Sequence, residues 1–304
     1  LYINKTIKDI HSVNITLLQS AERYRTEGLN MRGYEITFPS SLWYNIGASN
    51  NAKYAPGSNF STWSRASYMA RVNYGLMDKY LLTVTGRFDG ASMLAAGNKW
   101  DFFPSAALAW RMEQEEFLKE VDWLNQLKVR VSYGVTGNQS IDPYSTFSMY
   151  GSDGNYHYGN GNGEQESVLQ ITNLPNDGLT WEKTASWNAG LDFSLLRSRL
   201  SGTFDFYVKR TNDLLISRSL PGSAGFGSTY YNQGSLDNKG VEFSLTAQVI
   251  DTKDWKWSIT GNIGKNKSKI VNLGLLPTDF GCLGERIGYY GNSLGDHFGV
   301  GHVF

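Results

Sequence analysis

Residues 181–211 read WEKTASWNAGLDFSLLRSRLSGTFDFYVKRT, and the alternation of apolar and polar side chains along them decides the fold class. From Trp187, one side carries Trp187, Ala189, Leu191, Phe193 and Leu195, and the other Asn188, Gly190, Asp192 and Ser194. After a very short turn the pattern restarts, with Leu200, Gly202, Phe204, Phe206 and Val208 against Ser201, Thr203, Asp205, Tyr207 and Lys209. Strand side chains point alternately to opposite faces, so this is a β-hairpin with one oily and one charged face. A soluble sheet shows the same alternation. Three features separate a membrane barrel from it: repetition along the chain, strand length near the roughly 9–11 residues that cross a bilayer, and the distribution of the turns.

The alternation recurs outward in both directions. It predicts strands over 1–7, 13–24, 65–74, 80–89, 102–111, 127–136, 241–249 and 255–264 in addition to the hairpin. The connections at 8–12, 75–79, 112–126, 196–199 and 250–254 are short, and those at 25–63, 90–101, 137–183, 212–239 and from 265 onward are long. Short and long alternate, so every long loop leaves the same end of the sheet, which is the arrangement of outer-membrane barrels. The stretch 25–63 holds Gly28, Gly33, Pro39, Gly47, Pro56 and Gly57 and reads as irregular. MEQEEFLKEVDWLNQ at 112–126 has acidic residues early and reads as a short helical connection. Tyr74 and Tyr80 flank one short turn, Trp110 and Trp257 lie near others, and Phe88 and Trp187 lie at the opposite end, where interfacial girdles belong.

Composition narrows the class. The 28 basic and 28 acidic residues cancel, leaving no basic excess to bind nucleic acid. The 33 glycines, 18 tyrosines and 9 tryptophans suit an all-β protein rich in turns and interfacial rings. No uninterrupted apolar run approaches the ~18 residues of a membrane helix, a test to which a barrel is blind because alternation dilutes its apolar residues. Cys282 stands alone, which excludes an internal disulfide and a thiolate cluster. His11, His157, His297 and His302 lack any compact metal-ligand spacing. GNIGKNKS at 261–268 lacks the spacing of a phosphate loop, and Gly222, Gly225 and Gly227 lack a dinucleotide-binding context. No cofactor is expected. Asp192, Asp205 and Glu242 share polar strand faces with Lys128, Arg130 and Lys209, as charges lining a barrel interior would.

Several blocks resemble the SusC/RagA-like TonB-dependent outer-membrane receptors: RFDG at 87–90, FFPSAALAWRMEQEEF at 102–117, LKVRVSYGVTGNQSI at 127–141, WEKTASWNAGLDFSLL at 181–196, DFYVKRTNDLL at 205–215 and NQGSLDNKGVEFSL at 232–245. They stand in the family's order and span essentially the whole chain. Where the family often reads R-F/Y-D-G-S-S-R-F, this chain has Arg87-Phe88-Asp89-Gly90-Ala91-Ser92-Met93-Leu94, so a basic and an aromatic residue are replaced.

The resemblance implies an all-β, antiparallel up-and-down transmembrane β-barrel in the bacterial outer membrane. About ten strands are legible here against about 22 in transporters that close around a plugged lumen. The chain is therefore expected to be about half of a plugged barrel: 1–264 as barrel strands with long extracellular loops and short periplasmic turns, 265–304 as an extracellular loop leading to the next strand, the plug and last strands lying outside it. Implied partners are outer-membrane lipid, a SusD-like surface lipoprotein, and the TonB energy-transducing complex, reached through the plug. The implied activity is import of oligosaccharides or oligopeptides, without covalent chemistry. A siderophore or vitamin-complex receptor and a passive porin-like barrel are the alternatives. Trp43, Tyr44, Trp100, Tyr150, Tyr156, Tyr158, Tyr230 and Tyr231 are the candidate substrate contacts, since loop rings stack on sugars or pack on peptide side chains.

Overall fold

The computed structural model describes residues 1–32, 57–159, 165–272, 274 and 297–298, with backbone alone at 152–159, 165–168 and 297–298. Strands β1 (Tyr2–Ile7), β2 (His11–Asn30), β3 (Gly57–Leu76), β4 (Tyr80–Ala91), β5 (Trp100–Arg111) and β6 (Leu124–Asn138) form the first half of one sheet. A small hairpin, β7 (Tyr150–Gly159) and β8 (Gln165–Ile171), follows. The sheet continues with β9 (Glu182–Leu195) and β10 (Leu200–Asn212), a second hairpin of β11 (Leu215–Ser219) and β12 (Ser228–Asn232), then β13 (Ser235–Asp251), β14 (Lys256–Asn272) and β15 (His297–Phe298). Its order is β1-β2-β3-β4-β5-β6-β9-β10-β13-β14-β15, each neighbour pair antiparallel. Among the described residues the sheet is open, with β1 and β15 at its edges.

Register keeps the two faces separate across the whole sheet. Val129, Leu191, Phe204, Phe243 and Ile263 lie in one cross-strand row, and Arg130, Gly190, Asp205, Glu242 and Gly264 in the next. Side chains alternate along each strand, so Leu127, Val129, Val131, Leu191, Phe193, Phe204 and Phe206 share one face and Lys128, Arg130, Asp192, Asp205 and Lys209 the other. A charge at the bilayer midplane costs roughly 2–4 kcal/mol, which assigns the apolar face to lipid and the charged face to the lumen. Rings mark both ends of the apolar face. Tyr80 stacks on Trp110 at the tight-turn end, while Trp100 stacks on Phe88 and Tyr68, and Tyr133 packs on Trp187, toward the other.

The tight turns reverse the chain through left-handed residues without glycine: Lys8 and Asp9, Met77 and Asp78, and Leu196, Arg197 and Ser198 all have φ between 52° and 62°. Paired positive φ gives the twist that matches a hairpin's strands. Asp9 and Asp78 tolerate that region, whereas Leu196 and Arg197 occupy it at a steric cost.

Four sequence expectations change. The segment 112–126 is not helical: Met112–Gln114 is a single 3-10 turn, followed by turns and by β6 from Leu124. Its acidic side chains anchor the turn instead. Glu113 accepts the Leu127 N–H and an Arg111 N–H, and Glu115 accepts from Tyr80 Oη (2.7 Å), Lys79 Nζ (3.0 Å) and Trp110 Nε1 (3.1 Å). Second, the breaker-rich stretch 25–63 is strand at both ends, because β2 reaches Asn30 and β3 starts at Gly57. Third, 137–183 and 212–239 carry the hairpins β7–β8 and β11–β12, and β14 runs to Asn272 rather than 264. Fourth, loops are not sorted strictly by length, since the 112–123 connection at the tight-turn end exceeds 92–99 at the other.

Candidate functional site: the polar face beneath the loop platform

The buried core lies where the long connections meet. Leu94 and Leu179 are fully buried there, packed with Ala91, Met93, Ala95, Phe103, Ile141 and Trp181. Trp181 meets Phe103 edge-on at 5.3 Å and donates Nε1–H to the Lys99 carbonyl. Asn232 then ties β12 to this core: its side-chain oxygen accepts the Thr180 N–H, and its amide donates to the carbonyls of Thr180 and Asp213. Glu182 accepts the Leu215 N–H, fixing the start of the β11–β12 hairpin. Apolar residues inside otherwise polar loops thus build a shared platform rather than separate flexible arms.

Beneath it, pairs between β2 and β3 and within β4 put charges of both signs on the polar face. Arg65 Nη2 donates to Glu22 at 2.6 Å, Arg87 Nε to both oxygens of Asp89 at 2.7 Å, and Arg87 Nη2 to Ser67 at 3.1 Å. The Arg65 guanidinium also lies over the Trp63 ring at 4.9 Å, and Trp63 stacks on Tyr24 at 5.4 Å. A cavity of about 240 Å³ opens here, lined by Glu22, Arg65, Arg87, Asp89, Gln139 and Trp181. Planar guanidinium groups, carboxylates and rings side by side can hold a polar, elongated ligand by hydrogen bonds and stacking. Further along the same face Arg130 donates to Asp192 (2.7 Å) and Asp205 (3.1 Å), so one guanidinium engages both carboxylates.

The candidate rings fall in different places. Trp43 and Tyr44 lie outside the described residues. Trp100 starts β5 on the apolar face, between Phe88 and Tyr68 and away from the lumen. Tyr150 opens β7, exposed, and Tyr156 and Tyr158 follow on the same strand. Tyr230 sits against the platform core and donates Oη–H to Asp142; burial and that carboxylate push its phenol pKa up. Tyr231 lies under the Arg218 guanidinium at 6.0 Å. Tyr24, Trp63, Glu22, Arg65, Arg87 and Asp89 were not singled out as contacts from the sequence, although RFDG contains two of them. Their signal is charge and aromaticity gathered on the polar parity of β2, β3 and β4 toward the platform end. Among the described residues no group of three His, Cys, Asp or Glu side chains is arranged to hold a metal ion.

Comparison with known proteins agrees with this architecture. Residues 7–296 match the family described as TonB dependent receptor-like, beta-barrel. TonB-dependent receptor P26 of Formosa agariphila is 37% identical over 255 residues, covering 84% of this chain and 25% of that protein. TonB-dependent receptor SusC of Bacteroides thetaiotaomicron is 41% identical over 213 residues, covering 68% of this chain and 21% of that protein. The structure of the RagAB peptide transporter aligns with a TM-score of 0.81 at 27% identity, over 91% of this chain and 30% of that one. The chain spans about a quarter of the length of the curated relatives it matches. With its two-faced antiparallel wall and girdle rings, the chain belongs to the TonB-dependent receptor-like β-barrel family of the bacterial outer membrane.

Proposed function

We propose that the full protein containing this chain is an energy-driven importer of oligosaccharides or oligopeptides, working with a SusD-like surface lipoprotein and performing no covalent chemistry. In this reading the platform end is extracellular and the tight turns are periplasmic. The observation that carries it is the wall of paired charges and rings directly beneath a packed platform, a surface suited to polar chain molecules. Similarity to SusC and to the RagAB peptide transporter supports the oligomer class over metal complexes. Tyr150, Tyr156, Tyr158, Tyr230 and Tyr231, with Trp43 and Tyr44, supply the ring contacts at the loop end, and Trp100 serves as a girdle ring.

The test uses the full-length receptor in cells. Growth on oligosaccharides, oligopeptides and a ferric siderophore is compared with the TonB complex intact, with it removed, and with the neighbouring SusD-like gene deleted. Active oligomer import predicts growth on one oligomer class that is lost without TonB and reduced without the lipoprotein. Growth that persists without TonB means a porin, and growth supported by the siderophore alone means a metal-complex receptor.

A further inference from the structure

The apolar face of β14 ends abruptly in cations. Trp257, Ile259 and Ile263 share one parity, and Lys265, Lys267 and Lys269 continue that same parity toward the platform end, all three exposed. Register adds Lys239 of β13, directly opposite Lys267, while Asp237 opposite Lys269 is already held by Arg210 through parallel bonds of 2.6 and 2.7 Å. Among the described residues no ion pair or hydrogen bond engages the four ammonium groups; Lys239 and Lys269 act on the Asp237 carboxylate only at longer range. Like charges directly opposite in a sheet are destabilising, so the Lys239–Lys267 pair costs folding energy unless an anion covers it.

We infer that Lys239, Lys265, Lys267 and Lys269 form a lateral binding site for the phosphate-bearing headgroup of an outer-leaflet glycolipid. The patch continues the lipid-facing wall without a break, on the opposite face from the lumen, so a nutrient passing through the barrel does not meet it. From Lys265 to Lys269 the ladder runs roughly 14 Å along the strand, or about 10 Å in height at a tilt near 40°. That is comparable with a headgroup layer of roughly 5–8 Å. The GNIGKNKS stretch, which fails as a phosphate loop because it lies inside a strand, is thereby a row of strand lysines aimed at membrane phosphate. The inference needs the barrel wall, its membrane setting and the extracellular position of the platform end given under the proposed function, not the import of oligomers.

The experiment takes the full-length receptor, purified in detergent, into nanodiscs of neutral lipid doped with a phosphorylated glycolipid or its dephosphorylated form, and measures glycolipid retained per receptor by mass spectrometry. Wild type is expected to retain the phosphorylated form at least about tenfold better than the dephosphorylated one. The variant Lys239→Gln/Lys265→Gln/Lys267→Gln/Lys269→Gln is expected to lose that preference, and the quadruple Arg variant to keep it. Lys253→Gln, in the exposed turn at the opposite end, is expected to bind as wild type. Millimolar inorganic phosphate added as competitor is expected to displace little, which separates a lipid site from a free-phosphate site. Equal retention of both lipids by wild type, an undiminished Gln variant, or full displacement by inorganic phosphate overturns the inference. The wild-type comparison stands even where the quadruple variant fails to assemble.

Discussion

Arg130 reaches across β9 to hold Asp192 and Asp205 together, and its removal leaves Asp192 with Lys128 Nζ alone at 3.7 Å and Asp205 with no ion pair among the described residues. Arg130→Ala is expected to lower stability by roughly 1–3 kcal/mol, toward the lower end because the side chain is 31% exposed and partly screened. Urea unfolding of the full-length receptor reads the loss. Gly240 is constrained more tightly. A Cβ there would sit 2.7 Å from the Lys265 carbonyl oxygen and 2.6 Å from the Tyr207 hydroxyl, so Gly240→Ala must displace strand backbone and is expected to destabilise by a similar 1–3 kcal/mol, roughly the cost of overpacking. At the tight-turn end the Tyr80 hydroxyl, then Lys79 and Trp110, hold the Glu115 carboxyl below its ordinary pKa of 4.5. A lowered carboxyl pKa adds stability that is fully present above the unfolded value and lost as pH falls through the folded one. Acid unfolding below about pH 4.5 should therefore be less steep in Glu115→Gln than in wild type, and an unchanged profile would remove Glu115 from this role.

Among elements, the β7–β8 hairpin stands apart from the main sheet as its own two-stranded unit, tied at its base by Asn173 bonds to Phe147 and Met149. Deleting part of 151–164 in the full-length receptor is expected to reduce uptake or lipoprotein binding while membrane assembly, read as the heat-modifiable folded band, stays intact. Replacing Arg197-Ser198-Arg199 is expected to impair assembly and spare ligand choice, because Leu196, Arg197 and Ser198 hold consecutive left-handed φ and the Ser198 N–H is fixed by Asn125. Loss of assembly on hairpin deletion, with normal import in whatever assembles, would reassign its tyrosines to packing. The elements also show what was legible in the sequence. Apolar alternation located the strands but stopped them early. Along β2 it ends near Tyr24 although the ladder continues to Asn30, and along β14 it ends at Ile263 although the ladder reaches Asn272. Alternation reports contact with the hydrocarbon core; beyond that core both faces of a strand are wet and only the backbone ladder remains. The β7–β8 and β11–β12 hairpins escaped notice because YGSDGNYHYG, QESVLQI, LISRS and STYYN carry no sustained apolar alternation, and the 112–123 acids were misread because turn anchoring and a helix N-terminus favour the same residues.

For the whole molecule, the central feature is one sheet of ten strands, from β1 to β14, whose register separates oil from charge through the middle of the wall, from β6 to β10, and admits cations to the apolar parity toward its ends and edges. The candidate site was only partly legible. RFDG carried the family resemblance without marking Arg87 and Asp89 as contacts, and the pairing of Arg65 with Glu22, and the convergence of 91–99, 141 and 179–181 into one core, depend on strands distant in sequence. The most direct test is an accessibility scan of the full-length receptor in lipid bilayers. Spin labels are placed one at a time at 203–209 and 189–193, in a Cys282→Ser background, and relaxation by lipid-dissolved oxygen is compared with relaxation by a water-soluble nickel chelate. The account predicts a period of two, with oxygen reaching 204, 206, 191 and 193, and the chelate reaching 205, 209, 190 and 192. Oxygen reaching the charged positions, or no alternation between the two reagents, would contradict it.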